Sequence, residues 1–100
     1  MINNIGKMRR TQQKVRAYLE KKGCLVHIIH HSRFSKDLFG LFDGFYIKDG
    51  IVTFFQARTN TKPNLKPYQD FSEKYKVPIK VFVVKDRKGV MEYSCGTEAE

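Results

Sequence analysis

The sequence predicts an α/β domain with a mixed central sheet of about five strands flanked by helices, and three observations carry that expectation. Residues 38–60 hold two runs rich in Phe, Tyr, Ile and Val around Asp49-Gly50, the dipeptide best suited to a type I′ turn, so the stretch reads as a β-hairpin. Residues 8–22 and 67–76 carry apolar positions at helical spacing. Residues 79–85 are apolar except for Lys80 and Lys85, the profile of an interior strand, and a strand-helix-strand connection of this length suits a parallel crossover. The 100 residues make one domain, 1–100, with one modest core and loose ends expected at 1–7 and 96–100.

Along the chain, the first helix has an apolar stripe on Val15 and Leu19, helped by Met8, Ala17 and Tyr18, and Gly23 stops it. Its other sides carry Lys7, Arg9, Arg10, Lys14, Arg16, Lys21 and Lys22, either a solvated surface or one that attracts phosphates. Residues 24–31 alternate loosely and read as a strand. His27, His30 and His31 have no Cys or His partners at zinc-ligand spacing, so they read as structural, with His30 or His31 available to touch a phosphate. The loop at 32–40 brings Arg33, Lys36 and Asp37 before the hairpin, and Asp37 reads as a backbone cap or as a second acidic ligand.

Beyond the hairpin, Lys62 lies in a connector, and Pro67 suits the first turn of the second helix, with Asn64 or Lys66 before its start. Tyr68, Phe71 and Tyr75 share one face of that helix and are expected in the core. Residues 86–89 turn the chain into a last strand at 90–94.

The hairpin turn sets a register. With Asp49 and Gly50 as the loop, Lys48 faces Ile51, Ile47 faces Val52, Phe45 faces Phe54 and Asp43 faces Gln56. Asp43 and Gln56 are then expected side by side on one face, with Cβ atoms roughly 4.5–5.5 Å apart, and Arg58 is their diagonal neighbour. An acid, an amide and a guanidinium at one end of an otherwise apolar hairpin form a candidate site.

An Asp, a hairpin turn and a strand ending in acid-x-Lys make up the active-site pattern of the PD-(D/E)xK nucleases. That is the fold of many restriction enzymes and of the archaeal Holliday junction resolvases, and this sequence resembles it. Asp43 stands at the metal-binding Asp, and Gln56-Ala57-Arg58 stands at Glu-x-Lys. In order of elements the resemblance covers residues 8–93. It implies a restriction-endonuclease-like core and a metal-dependent DNA endonuclease, in the resolvase branch one that cuts branched DNA. It also implies Mg²⁺ or Mn²⁺ on Asp43, Gln56 and the Ala57 carbonyl, with Asp43, Gln56 and Arg58 as the catalytic set. Gln56 offers a neutral oxygen in place of a carboxylate, and Arg58 does not deprotonate near neutral pH. The first helix offers Gln12 and Gln13 where family members often carry another acid. The alternative is a nucleic-acid-binding domain of the same fold whose cleavage centre has decayed. A basic module for a protein partner is a third reading.

Composition fits these readings. Hydrophobic content of 41% argues for a folded chain, and a net charge of +9 favours a polyanionic partner, although a membrane surface or plain solubility also fits. Arg9, Arg10, Lys14, Arg33, Lys36 and Lys62 are the expected DNA contacts. No signal peptide and no apolar run near the ~18 residues of a membrane span are present, so a soluble cytoplasmic protein is expected. Cys24 and Cys95 form no metal or disulfide pattern and read as reduced, packed thiols. Symmetric cutting of two strands favours a twofold dimer.

Overall fold

The computed structural model describes residues 4–29, 39 and 41–95. Helix α1 (Asn4–Glu20) is followed by β1 (Leu25–Ile28), β2 (Gly44–Lys48), β3 (Ile51–Thr59), α2 (Lys66–Tyr75), β4 (Ile79–Lys85) and β5 (Gly89–Cys95). The five strands form one mixed sheet in chain order. Its β3–β4 pair is parallel, and the β1–β2, β2–β3 and β4–β5 pairs are antiparallel. This is the α/β class and the strand number that the sequence predicts.

Each element follows from local chemistry, with some boundaries displaced. Helix α1 starts at Asn4, so residues 4–7, expected as a loose end, are helical, while residues 1–3 and 96–100 lie outside the described residues. It ends at Glu20, two residues before the expected 22. The Gly23 N–H donates to the Glu20 carbonyl at 3.0 Å, and Gly23 holds φ +87°, a conformation that favours glycine because no Cβ meets the carbonyl. Strand β1 leaves out Cys24 and Ile29 of the expected 24–31, whose last two residues lie outside the described ones, and β5 exceeds the expected 90–94 by one residue at each end. In α2, Pro67 sits in the first turn and the Asn64 Oδ1 accepts from the Lys66 N–H at 3.1 Å, as the sequence suggests. The helix stops where Lys76 turns left-handed at φ 59°, and the buried Ser72 hydroxyl donates to the Val77 carbonyl at 2.6 Å.

Alternate residues of β3 and β4 face opposite helices, so both faces of the sheet centre are covered and apolar residues of both strands fill the two cores. On the α1 side, Val15 and Leu19 pack with Val26, Ile28, Tyr46, Phe55, Ala57, Phe82 and Val84. On the α2 side, Tyr68 packs with Phe42, Ile79, Val81 and Cys95, flanked by Phe54 and Phe71. Two expectations for the stripes are corrected. Tyr75, expected in the core, is 54% exposed because it is the last residue of α2, and Ala17 is exposed on the outer side of α1. The core polar residues Thr11, Gln12, Asp43 and Gln56 are buried.

A polar clip fastens α1 to the far edge of the sheet. The Tyr18 hydroxyl donates to the Glu92 carboxylate, and Lys22 donates to the same carboxylate oxygen at 2.9 Å. Burial opposes ionisation of Glu92, but the bonds from Tyr18 and Lys22, with Lys80 nearby, outweigh it and hold this carboxyl below its ordinary range. The bond to Tyr18 and the attraction of Glu92 raise Lys22 well above the ordinary lysine range.

Candidate functional site

The hairpin register is the predicted one from Lys48↔Ile51 through Ile47↔Val52 and Phe45↔Phe54, and it continues to Gly44↔Phe55. There the strand changes course. The Asp43 N–H donates to the Phe55 carbonyl at 2.8 Å, so Asp43 and Gly44 both oppose Phe55, the two-against-one arrangement of a β-bulge. The bulge shifts the side-chain alternation. Strict alternation from Tyr46 through Gly44 sends Phe42 to the α1 side, yet Phe42 stacks on Phe54 and meets Phe71 on the α2 side.

The bulge also decides where the Asp43 carboxylate goes. Its Oδ2 accepts the Ala57 backbone N–H at 2.7 Å, filling the ladder position that a continued β2 would have filled with a carbonyl. Asp43 therefore brackets Gln56, with its N–H bound to residue 55 and its carboxylate to residue 57. The simple cross-strand pairing expected for Asp43 and Gln56 is corrected to this bracket. Gly44 makes the close approach possible, since a Cβ there would lie 2.1 Å from the His27 carbonyl oxygen.

Gln56 lies between Phe55 and Ala57, both in the α1-side core, so its side chain shares the α2 side with Phe54 and Arg58. It is 91% buried, and its Oε1 has no hydrogen-bond partner among the described residues. Arg58 is exposed. The structure thus joins the Asp43 carboxylate to the Ala57 N–H, with Gln56 between the two residues that Asp43 bonds, and leaves Arg58 exposed two residues beyond Gln56.

A further residue belongs to this end of the sheet. The Thr11 and Thr59 hydroxyls share a hydrogen bond of 2.5 Å, tying α1 to the end of β3, and next to Thr11 the buried Gln12 has an Nε2 with no partner among the described residues. Gln12 stands three and seven residues before Val15 and Leu19. That helical spacing was the available signal that Gln12 faces the sheet.

No protein-family model matches the chain, and no curated protein is significantly similar to it.

The donor set can be weighed for a hard divalent cation. Asp43 contributes an anionic carboxylate and Gln56 an unpartnered amide oxygen. The Ala57 carbonyl leaves β3 on the same edge as the N–H that Asp43 holds, because N–H and C=O of one residue in an antiparallel strand point the same way. All three are oxygen donors of the kind Mg²⁺ and Mn²⁺ accept, and together they carry a single negative charge. No group of three or more His, Cys, Asp or Glu side chains suited to a metal occurs among the described residues.

Of the expected DNA contacts, Arg9, Arg10 and Lys14 are exposed on α1. Lys62 is exposed and places its ammonium 4.7 Å from the centre of the Tyr93 ring. Arg33, Lys36 and Asp37, with His30 and His31, lie outside the described residues. His27 is exposed on β1, pairs with Phe45 and has its ring 5.4 Å from that of Phe45. Among the described residues, no helix is long and apolar enough to cross a membrane.

Proposed function

We propose that this domain binds DNA and cleaves its phosphodiester backbone with a divalent cation held by Asp43, Gln56 and the Ala57 carbonyl. The observation that carries the reading is the buried, unpartnered Gln56 Oε1 beside the residue whose amide Asp43 holds. A buried acceptor without a donor costs about 1–3 kcal/mol, and a bound cation removes that cost. Mg²⁺ or Mn²⁺, when bound, polarises a phosphate and lowers the pKa of its water. Asp43 anchors the charge, Gln56 and Ala57 complete an oxygen set, and the exposed Arg58 clamps a phosphate oxygen. Arg58 supplies no base, so turnover is slow, and the low ligand charge makes metal affinity weak.

The exposed cations Arg9, Arg10, Lys14 and Lys62 bring the DNA backbone to the sheet, and the sequence expects Arg33 and Lys36 as further contacts. The resolvase resemblance makes branched DNA the substrate to try first, with a cytoplasmic twofold dimer as the cutting unit. The test is cleavage of duplex, single-stranded and four-way-junction DNA across a Mg²⁺ and Mn²⁺ series. Weak Mn²⁺-dependent cleavage by the wild type and none by Asp43→Ala supports the reading. Equal cleavage by both proteins refutes it.

A second reading, DNA binding by a decayed centre, is favoured by one specific bond. The Asp43 carboxylate already has a structural partner in the Ala57 N–H and would be retained without catalysis. Salt-sensitive DNA binding with no cleavage at any metal concentration selects this reading.

A further inference from the structure

The turn between β4 and β5 is clasped to the end of β3. Asn60 Nδ2 donates to Asp86 Oδ2 at 3.1 Å, and the Asp86 N–H donates back to Asn60 Oδ1 at 3.0 Å. The Asn60 N–H donates to the Val84 carbonyl at 3.0 Å, extending the parallel ladder by one step. The clasp binds one carboxylate oxygen of Asp86, and Asp86, Arg87 and Lys88 are all exposed, so the turn carries two cations against one anion. The Lys88 N–H closes the turn on the Lys85 carbonyl at 3.0 Å.

Two observations bear on this turn, the first of them a positive φ that Arg87 shares with Phe39, Asp49, Asn60 and Lys76. Arg87 holds φ +67°, a left-handed conformation that costs an arginine free energy that a glycine would not lose. Backbone strain of this kind is a reason to look for function where it occurs. The position of the turn is the second. Asn60 lies two residues beyond Arg58, and Thr59, bonded to Thr11, brings the Arg9–Arg10 part of α1 to the same end of the sheet. Arg87 and Lys88 therefore join Arg58, Arg9 and Arg10 around the end that carries the candidate site.

We propose that the β4–β5 turn is a fixed cationic finger whose Arg87 and Lys88 grip phosphates of a nucleic-acid strand passing the Arg58 end of the sheet. This rests on the reading of the domain as DNA-binding. The Asn60–Asp86 clasp and the Lys88–Lys85 backbone bond hold the turn in place, so its backbone needs no ordering when the two side chains meet a phosphate. Arg87 supplies planar, bidentate recognition and Lys88 a point charge.

Substitution at Arg87 separates binding from folding. Arg87→Gly removes the cation and relieves the backbone strain, so the variant should melt no lower than wild type. Binding to a fluorescent four-way junction and to duplex DNA is measured by anisotropy over a salt series for wild type, Arg87→Gly, Lys88→Gln and Lys48→Gln. Lys48 is exposed at the β2–β3 turn, at the opposite end of the sheet, and controls for the loss of one charge. Arg87→Gly and Lys88→Gln should each weaken binding about tenfold at low salt and lower the salt slope by about 0.9. Lys48→Gln should change both much less. If both finger variants bind like Lys48→Gln while wild type binds DNA in a salt-dependent way, the finger is refuted and the DNA-binding reading stands. Absence of wild-type binding even at low salt overturns both.

Discussion

The Asp43 carboxylate accepts the Ala57 backbone N–H at 2.7 Å, so one side chain both completes the sheet and forms the anionic point of the candidate site. The two roles separate on substitution. Asp43→Asn keeps an acceptor oxygen for the Ala57 N–H and loses the charge, so it should stay close to wild-type stability while losing Mn²⁺ binding. Asp43→Ala leaves a buried N–H unpaired and should cost about 1–3 kcal/mol as well. Urea denaturation and calorimetric Mn²⁺ titration of both variants check this. Wild-type Mn²⁺ affinity in Asp43→Asn would exclude the carboxylate as a ligand.

Gln56→Glu adds a second charge where Oε1 is buried. In a metal site it should tighten Mg²⁺ and Mn²⁺ binding and raise cleavage, because affinity follows ligand charge. In a purely structural network the new carboxylate is buried next to the residues that Asp43 bonds and is opposed by burial and by that charge, so stability should drop with no gain in metal affinity. Arg58→Lys belongs in the same experiment, since a lysine can lower its pKa near a metal-bound water as arginine cannot.

Gly44→Ala should be the most damaging small substitution in the hairpin. Its Cβ would meet the His27 carbonyl oxygen at 2.1 Å, and neither backbone can yield without disturbing the β1–β2 ladder. The expected loss is at the upper end of about 1–3 kcal/mol, read as a lowered urea midpoint. Stability equal to wild type would mean that β1 and β2 do not pair as described.

The α1–β5 clip predicts an acid-side stability change. The folded pKa of Glu92 lies below its unfolded value, so its contribution is present above the ordinary carboxylate range and is lost as pH falls through the folded value. Lys22 has the opposite sign, with stability present below the ordinary lysine pKa and lost only as pH rises through its raised value. Glu92→Gln should flatten the acid limb of the stability curve by up to about 1 kcal/mol, the scale of an accessible pair. Unchanged pH dependence in Glu92→Gln would mean that the clip does not persist in solution.

Much of the fold was legible because turn chemistry and periodicity agreed. Asp49-Gly50 fixed the hairpin register through Phe45↔Phe54, and the apolar run at 79–85 marked β4 to the residue. The bulge at Asp43 was not legible. It depends on Gly44 meeting a carbonyl of β1, a strand distant in sequence, and on Phe42 finding its aromatic partners across the sheet. Counting outward from a turn assumes an unbroken ladder, and one extra residue changes the direction of every side chain beyond it. Burial of Gln12 was readable from its spacing to Val15 and Leu19, but its amide pointed the sequence reading to polarity before position.

Among the described strands, β3 and β4 form the one parallel pair, and its consequence is an order of assembly. The β2–β3 hairpin closes through a two-residue turn, whereas the β3–β4 seam waits for the whole α2 crossover between Thr59 and Ile79. The Phe54 N–H reaches the Pro78 carbonyl at 3.3 Å, so the amides of residues 54, 56 and 58 face the seam, while those of 53, 55 and 57 face β2. Hairpins form in about 1–10 μs, and contacts across a crossover come later. In pulsed hydrogen exchange during refolding, the Thr53 and Phe55 amides should gain protection before those of Gln56 and Arg58. Gln56 and Arg58, the side chains that β3 contributes to the candidate site, would then sit on the backbone amides of that strand that are protected last.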